Sequence, residues 1–139
     1  MRRIYIATHG EMSLGIKDSL KLIAGDSADE IQTYSLIPGK NALDFIQEVE
    51  SDILKNQDTQ FIIMGDLYGA SIVNSMLLLA KYENVILLSG VNLSMALQVL
   101  LAGPNDFTEM DIENILLESK SGIKRLVLPE KETDENNEF

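Results

Sequence analysis

The segment Phe61-Ile62-Ile63-Met64-Gly65-Asp66-Leu67-Tyr68-Gly69-Ala70-Ser71 carries the strongest structural signal in the chain. Four consecutive apolar residues without polar alternation are the pattern of a strand buried on both faces, as in a parallel sheet covered by helices. The run stops at Gly65-Asp66, and the residues after it predict a helix from about Ser71 to Lys81. Val85-Ile86-Leu87-Leu88 repeats the pattern and predicts another buried strand, ending at Ser89-Gly90-Val91-Asn92. Working back, Ile31 to Leu36 is read as a strand closed by the Pro38-Gly39 turn signal. Arg3 to Ala7 is a β-rich run that ends at Thr8-His9-Gly10.

Helical periods fill the spaces between these runs. Ile16, Leu20 and Ile23 fall on one face of a helix that stops near Gly25-Asp26. Asn41 can cap a second helix with an apolar face of Leu43, Ile46, Val49 and Ile53. A further helix around Ser94 to Leu101 is closed by Gly103-Pro104, and Thr108 with Asp111 resembles a capping box opening a last one through about Lys120. Ile123 to Leu128 reads as a short final strand. Alternating strands and helices predict an α/β fold, a doubly wound sandwich whose four parallel strands are joined by right-handed crossovers. In the order 2-1-3-4, the switch point lies between the first and third strands, where such folds bind their ligands. The loops Thr8 to Met12 and Gly65 to Ser71 are therefore the expected site.

Composition narrows the function classes. The 139 residues are 45% hydrophobic and 24% charged, enough for one domain with one core, expected over residues 1–128. Eleven basic against 22 acidic residues give a net charge of -11, which disfavours nucleic acid and anionic membranes as partners. There are no cysteines, so disulfides, thiolate zinc sites and a cysteine nucleophile are excluded. No run reaches the about 18 apolar residues of a membrane span. His9 and Gly10 interrupt the start too early for a signal peptide, so a cytoplasmic protein is expected. From Pro129 to Phe139 five acids face only Lys131, a composition that predicts an unstructured acidic tail.

His9 is the only histidine, and it stands at the end of the first strand, with Asp66 at the end of the third. A neutral imidazole is a nucleophile near pH 7, and a carboxylate accepting one ring N–H leaves the other nitrogen's lone pair free. That arrangement suits a histidine that accepts and donates a phosphoryl group. Gly10, Gly69, Ala70 and Ser71 surround it with small residues and a helix start, where free N–H groups meet an anion. Each residue taken singly has a plainer reading: His9 a surface loop residue, Asp66 and Ser71 helix caps, Gly65 and Gly69 turn formers. A serine hydrolase triad fits less well, because Gly69-Ala70-Ser71-Ile72-Val73 lacks the second glycine of a nucleophile elbow. One histidine and no cysteine make a poor metal site, and no phosphate- or dinucleotide-binding glycine motif is present, so neither metal nor cofactor is expected. The six methionines read as core filler.

Ile4-Tyr5-Ile6-Ala7-Thr8-His9-Gly10, Ile37-Pro38-Gly39, Gly65 to Ser71 and Gly90-Val91-Asn92-Leu93-Ser94-Met95 together resemble the mannose-type enzyme IIA family. These are cytoplasmic phosphocarriers of the bacterial phosphoenolpyruvate-dependent sugar phosphotransferase system. The resemblance runs from about Arg2 to Leu128. It implies that His9 is phosphorylated by the phosphocarrier HPr and passes the group to a IIB partner, itself linked to membrane permease components. It further implies that Asp66 orients His9, that Ser71 lies beside the phosphoryl group, and that Pro38 and Asn92 stand in partner-docking loops. A homodimer is implied too, made by exchange of Ile123 to Leu128, which would run antiparallel on a sheet edge. The chain departs from the family's Gly-Gly-Ser-Pro at Gly69-Ala70-Ser71-Ile72, and from its Pro-Gly-Glu at Pro38-Gly39-Lys40. An interaction module switched by phosphorylation of His9 is the alternative to a sugar-transport phosphocarrier.

Overall fold

The computed structural model describes residues 1–130, so most of the expected acidic tail lies outside the described residues. The elements are β1 (Arg2–His9), α1 (Met12–Ala24), β2 (Gln32–Leu36), α2 (Ala42–Lys55), β3 (Gln60–Gly65), α3 (Ser71–Met76), β4 (Val85–Leu88), α4 (Leu93–Leu101) and α5 (Glu109–Ser121). The four strands form one parallel sheet in the order β2-β1-β3-β4, as the sequence predicts. Among the described residues, no helix is long and apolar enough to cross a membrane.

Strand alternation sorts the core into two layers. Ile4, Ile6, Ile62 and Met64 face one side, where Leu20 of α1, Met95 and Val99 of α4 and Ile115 of α5 pack. Tyr5, Ala7, Tyr34, Phe61 and Ile63 face the other, against Phe45, Val49 and Ile53 of α2 and Ile72 and Met76 of α3. The Asp52 carboxylate on α2 accepts hydrogen bonds from both Arg3 and Tyr5, tying that helix to β1. The capping box predicted for α5 is present: Thr108 Oγ1 accepts from the Asp111 backbone, and the Asp111 carboxylate accepts from the Thr108 backbone.

Several local expectations give way. Ile23 and Leu43 are exposed, and the buried faces of their helices include Ser13 and Leu20 in α1 and Phe45 in α2. The third helix is α-helical only to Met76 and tightens to a 3-10 turn over Leu77–Leu79 before the chain turns toward β4. β4 is an edge strand with a single neighbour, so Val85, Ile86 and Leu87 are half-buried rather than covered on both faces. Ile123 to Leu128 pairs with no strand among the described residues, and its apolar side chains Ile123, Leu126, Val127 and Leu128 are exposed. A strand needs an edge to bond to, and β4 leaves one unpaired edge of the sheet.

Candidate functional site

The backbone brings His9 to the carboxyl end of β1 through a local frame fixed on the opposite side of the sheet. Thr8, fully buried, faces α1, where its Oγ1 accepts the Ser13 backbone N–H at 2.8 Å. Ser13, also fully buried, donates from Oγ to the Tyr34 carbonyl at 3.1 Å. The next residue on β1 must point the other way, so His9 leaves the sheet on the α2/α3 side, above Ala7. Gly10 then turns the chain with φ +56°, a left-handed conformation that glycine adopts without strain, and donates to the Leu36 carbonyl at 2.9 Å. Thr8 and Ser13 were not legible as site supports, because their contact appears only once α1 folds back on the sheet.

Asp66 follows β3 directly. Its Oδ2 accepts from the His9 backbone N–H at 2.8 Å and lies 2.9 Å from the His9 ring Nδ1. Its Oδ1 accepts from the Leu67 N–H at 2.9 Å. The carboxylate is only 8% exposed, whereas the imidazole is 47% exposed. Burial pushes the Asp66 pKa up, but the hydrogen bonds from the His9 backbone, the His9 ring and the Leu67 backbone outweigh it and hold the pKa below its ordinary value. A carboxylate that stays ionised makes Nδ1 the protonated ring nitrogen and leaves the Nε2 lone pair free. Nε2 makes no hydrogen bond among the described residues.

The remaining expected residues gather less tightly. Gly69 and Ala70 lie in the loop between Asp66 and α3, and Ala70, not Ser71, is the cap of that helix. Ser71 is its first helical residue and is exposed; no side chain caps the first turn. Gly65 does more than turn the chain: a Cβ there would lie 2.5 Å from Val73 Cγ2 and 3.0 Å from Met76 Sδ, so its bareness lets α3 sit against the end of β3. Pro38 is exposed in the loop after β2. The Asn92 side chain is occupied at both ends, accepting the Met95 N–H as the cap of α4 and donating to the Ser119 carbonyl.

Known proteins share this fold. The family model described as PTS system fructose IIA component (EIIA-man) matches residues 3–116. A phosphotransferase system component EIIA from Streptococcus agalactiae is 26% identical, with a TM-score of 0.79 over 90% of this chain and 97% of that one. A putative phosphoenolpyruvate-dependent sugar phosphotransferase system permease from Klebsiella pneumoniae is also 26% identical, at a TM-score of 0.76 over 89% and 90% of the two chains. The mannose/sorbose-specific IIA subunit from Enterococcus faecalis, 19% identical, shares the fold at a TM-score of 0.80 over 93% and 97%. No curated protein matches the sequence.

Proposed function

The chain belongs to the EIIA-man family of phosphotransferase system IIA components, and on that premise we propose that it is a cytoplasmic phosphocarrier working through His9. The observation that carries this reading is the 2.9 Å contact between His9 Nδ1 and the buried Asp66 carboxylate, which leaves Nε2 as the free nucleophile. In the proposed step the Nε2 lone pair attacks the phosphorus of a phosphohistidine on HPr. The new N–P bond forms as the donor's N–P bond breaks, and the electron pair of the broken bond returns to the donor imidazole. The ring proton stays on Nδ1, and Asp66 faces the positive charge that the doubly substituted ring acquires. Reversal of the same chemistry onto a IIB protein completes the transfer, in sugar uptake through the membrane components.

The uncapped first turn of α3, beginning at Ser71, leaves N–H groups available to the phosphoryl oxygens, and Gly10, Gly69 and Ala70 contribute close backbone approach, since the Gly10 and Ala70 N–H groups already bond to the Leu36 and Leu67 carbonyls. Pro38 stands on the docking rim. The proposed assembly is a homodimer in which Ile123 to Leu128 of each subunit pairs with the other's sheet; the exposed apolar side chains of that segment support it.

The test is phosphorylation in vitro with phosphoenolpyruvate, its histidine-phosphorylating enzyme and HPr, read by mass spectrometry. The wild type should gain one acid-labile phosphoryl group and pass it stoichiometrically to a IIB protein. His9→Ala should gain none while keeping its fold. Labelling of the variant at the wild-type level would overturn the assignment; labelling of the wild type without onward transfer would favour the phosphorylation-switched interaction module.

A further inference from the structure

Four loops leave the carboxyl ends of the strands: residues 10–11, 37–41, 66–70 and 89–92. Glu11 and Asp66 are their acids, and Lys40 is their one cation. The Lys40 ammonium joins none of the ion pairs among the described residues, although Asp44 stands one turn further along α2. It rests instead 5.5 Å from the centroid of the Tyr34 ring. That ring is a fixed platform: it is buried, its centroid is 5.0 Å from that of Phe45, and its hydroxyl donates to the Asn41 carbonyl at 2.9 Å.

The register places this platform beside the nucleophile. Tyr34 pairs with Ala7, and Leu36 with His9, on adjacent parallel strands. Tyr34, Ala7 and His9 all face the α2/α3 side by alternation, with Tyr34 and Ala7 in the same core layer. Strand spacing puts the Tyr34 and His9 Cα atoms about 8 Å apart. A dianionic phosphoryl group on His9 would sit close to the ionised Asp66 and meet no other cation from these loops. A lysine on a flexible four-carbon stem, held by a weak ring contact rather than by a carboxylate, is free to turn toward it.

We propose that Lys40 supplies the counter-charge to the phosphoryl group on His9, making it a phosphoryl-binding residue of this chain. The inference rests on the phosphocarrier reading above. No bond to Lys40 forms or breaks; its ammonium pairs with the phosphoryl oxygens as the group arrives on Nε2.

Two phosphoryl donors separate this role from a contact with a protein partner: phospho-HPr, and phosphoramidate, a small donor without a protein surface. With either donor, Lys40→Gln should label His9 about fivefold more slowly than wild type, Lys40→Glu more slowly still, and Lys40→Arg within about twofold of it. Added salt should slow the wild type with phosphoramidate and leave Lys40→Gln little changed. Circular dichroism and thermal unfolding confirm that each variant is folded before its rate is read. Equal rates for wild type and Lys40→Gln overturn the proposal. Slowing with phospho-HPr alone also overturns it, and assigns Lys40 to the partner surface. A wild type that neither donor labels at His9 defeats the phosphocarrier reading itself and the Lys40 role with it.

Discussion

Asp66 holds three hydrogen bonds on one small carboxylate, two of them from a single residue, and this concentration makes its protonation consequential. Losing its charge leaves the imidazole without an enforced tautomer. Asp66→Asn should therefore accept a phosphoryl group at least about tenfold more slowly than wild type, roughly 1.4 kcal/mol of barrier, as quench-flow labelling would measure. Stability follows the same group. Its pKa in the folded chain lies below the ordinary carboxylate value, so its contribution is fully present above about pH 3.9 and is lost as pH falls through the lower folded value. Urea unfolding of wild type and Asp66→Asn from pH 7 to pH 3 should show a gap that narrows only at the acid end. A gap that is constant with pH would mean that the carboxylate's charge is irrelevant to the fold. His9 and Asp66 were readable from sequence because one is unique and both end strands at a switch point. Thr8, Ser13 and Lys40 were not, since their roles depend on which side of the sheet each strand residue faces and on what folds back over it.

The junction of β3 with α3 depends on an absent side chain. Gly65→Ala would drive its methyl group to within 2.5 Å of Val73 Cγ2, a clash that must be relieved by moving the helix or the side chain. A loss of about 1–3 kcal/mol is expected in denaturant unfolding. Adding Val73→Ala to Gly65→Ala should recover part of it, whereas two independent losses that simply add would refute the packing account. Helix displacement would also carry Ser71 away from Asp66, so phosphoryl acceptance should fall in Gly65→Ala and improve in the double variant. The strands were the most legible elements, because unbroken apolar runs such as Phe61 to Met64 leave few alternatives. Helix faces were less so: Ile23 and Leu43 keep helical spacing, yet the layer below them is filled by other residues. Over Leu77–Leu79 the sequence predicts continuing helix, because apolar residues suit both the α-helix and the 3-10 turn that forms there.

The sheet has two kinds of edge in this chain. β2 carries polar residues, with Gln32 exposed and Thr33 half-buried, whereas β4 is wholly apolar and open on one side. An open, half-buried apolar edge, together with an exposed apolar segment reaching Leu126 at 92% exposure, is consistent with the proposed assembly, in which both would be covered. Truncation before Pro129 should leave the proposed dimer intact, and truncation before Ile123 should give monomers or aggregates, as light scattering will report. A stable dimer from the shorter chain would refute strand exchange. Topology was legible because alternation of strand and helix leaves few parallel arrangements; the fate of Ile123 to Leu128 was not, since a segment that finds no edge in its own chain has the same composition as one that does. The central place of β1 has a last consequence, for synthesis on the ribosome. β1 emerges ahead of both strands that flank it, and it cannot be enclosed until Gly65 has been made. Arg2 waits longer still, because its guanidinium bonds to the carbonyls of Gly103 and Asn105, more than 100 residues downstream. A nascent chain therefore carries a central strand with one open side until β3 has been made, and slowing elongation before β3 should raise its demand for chaperones.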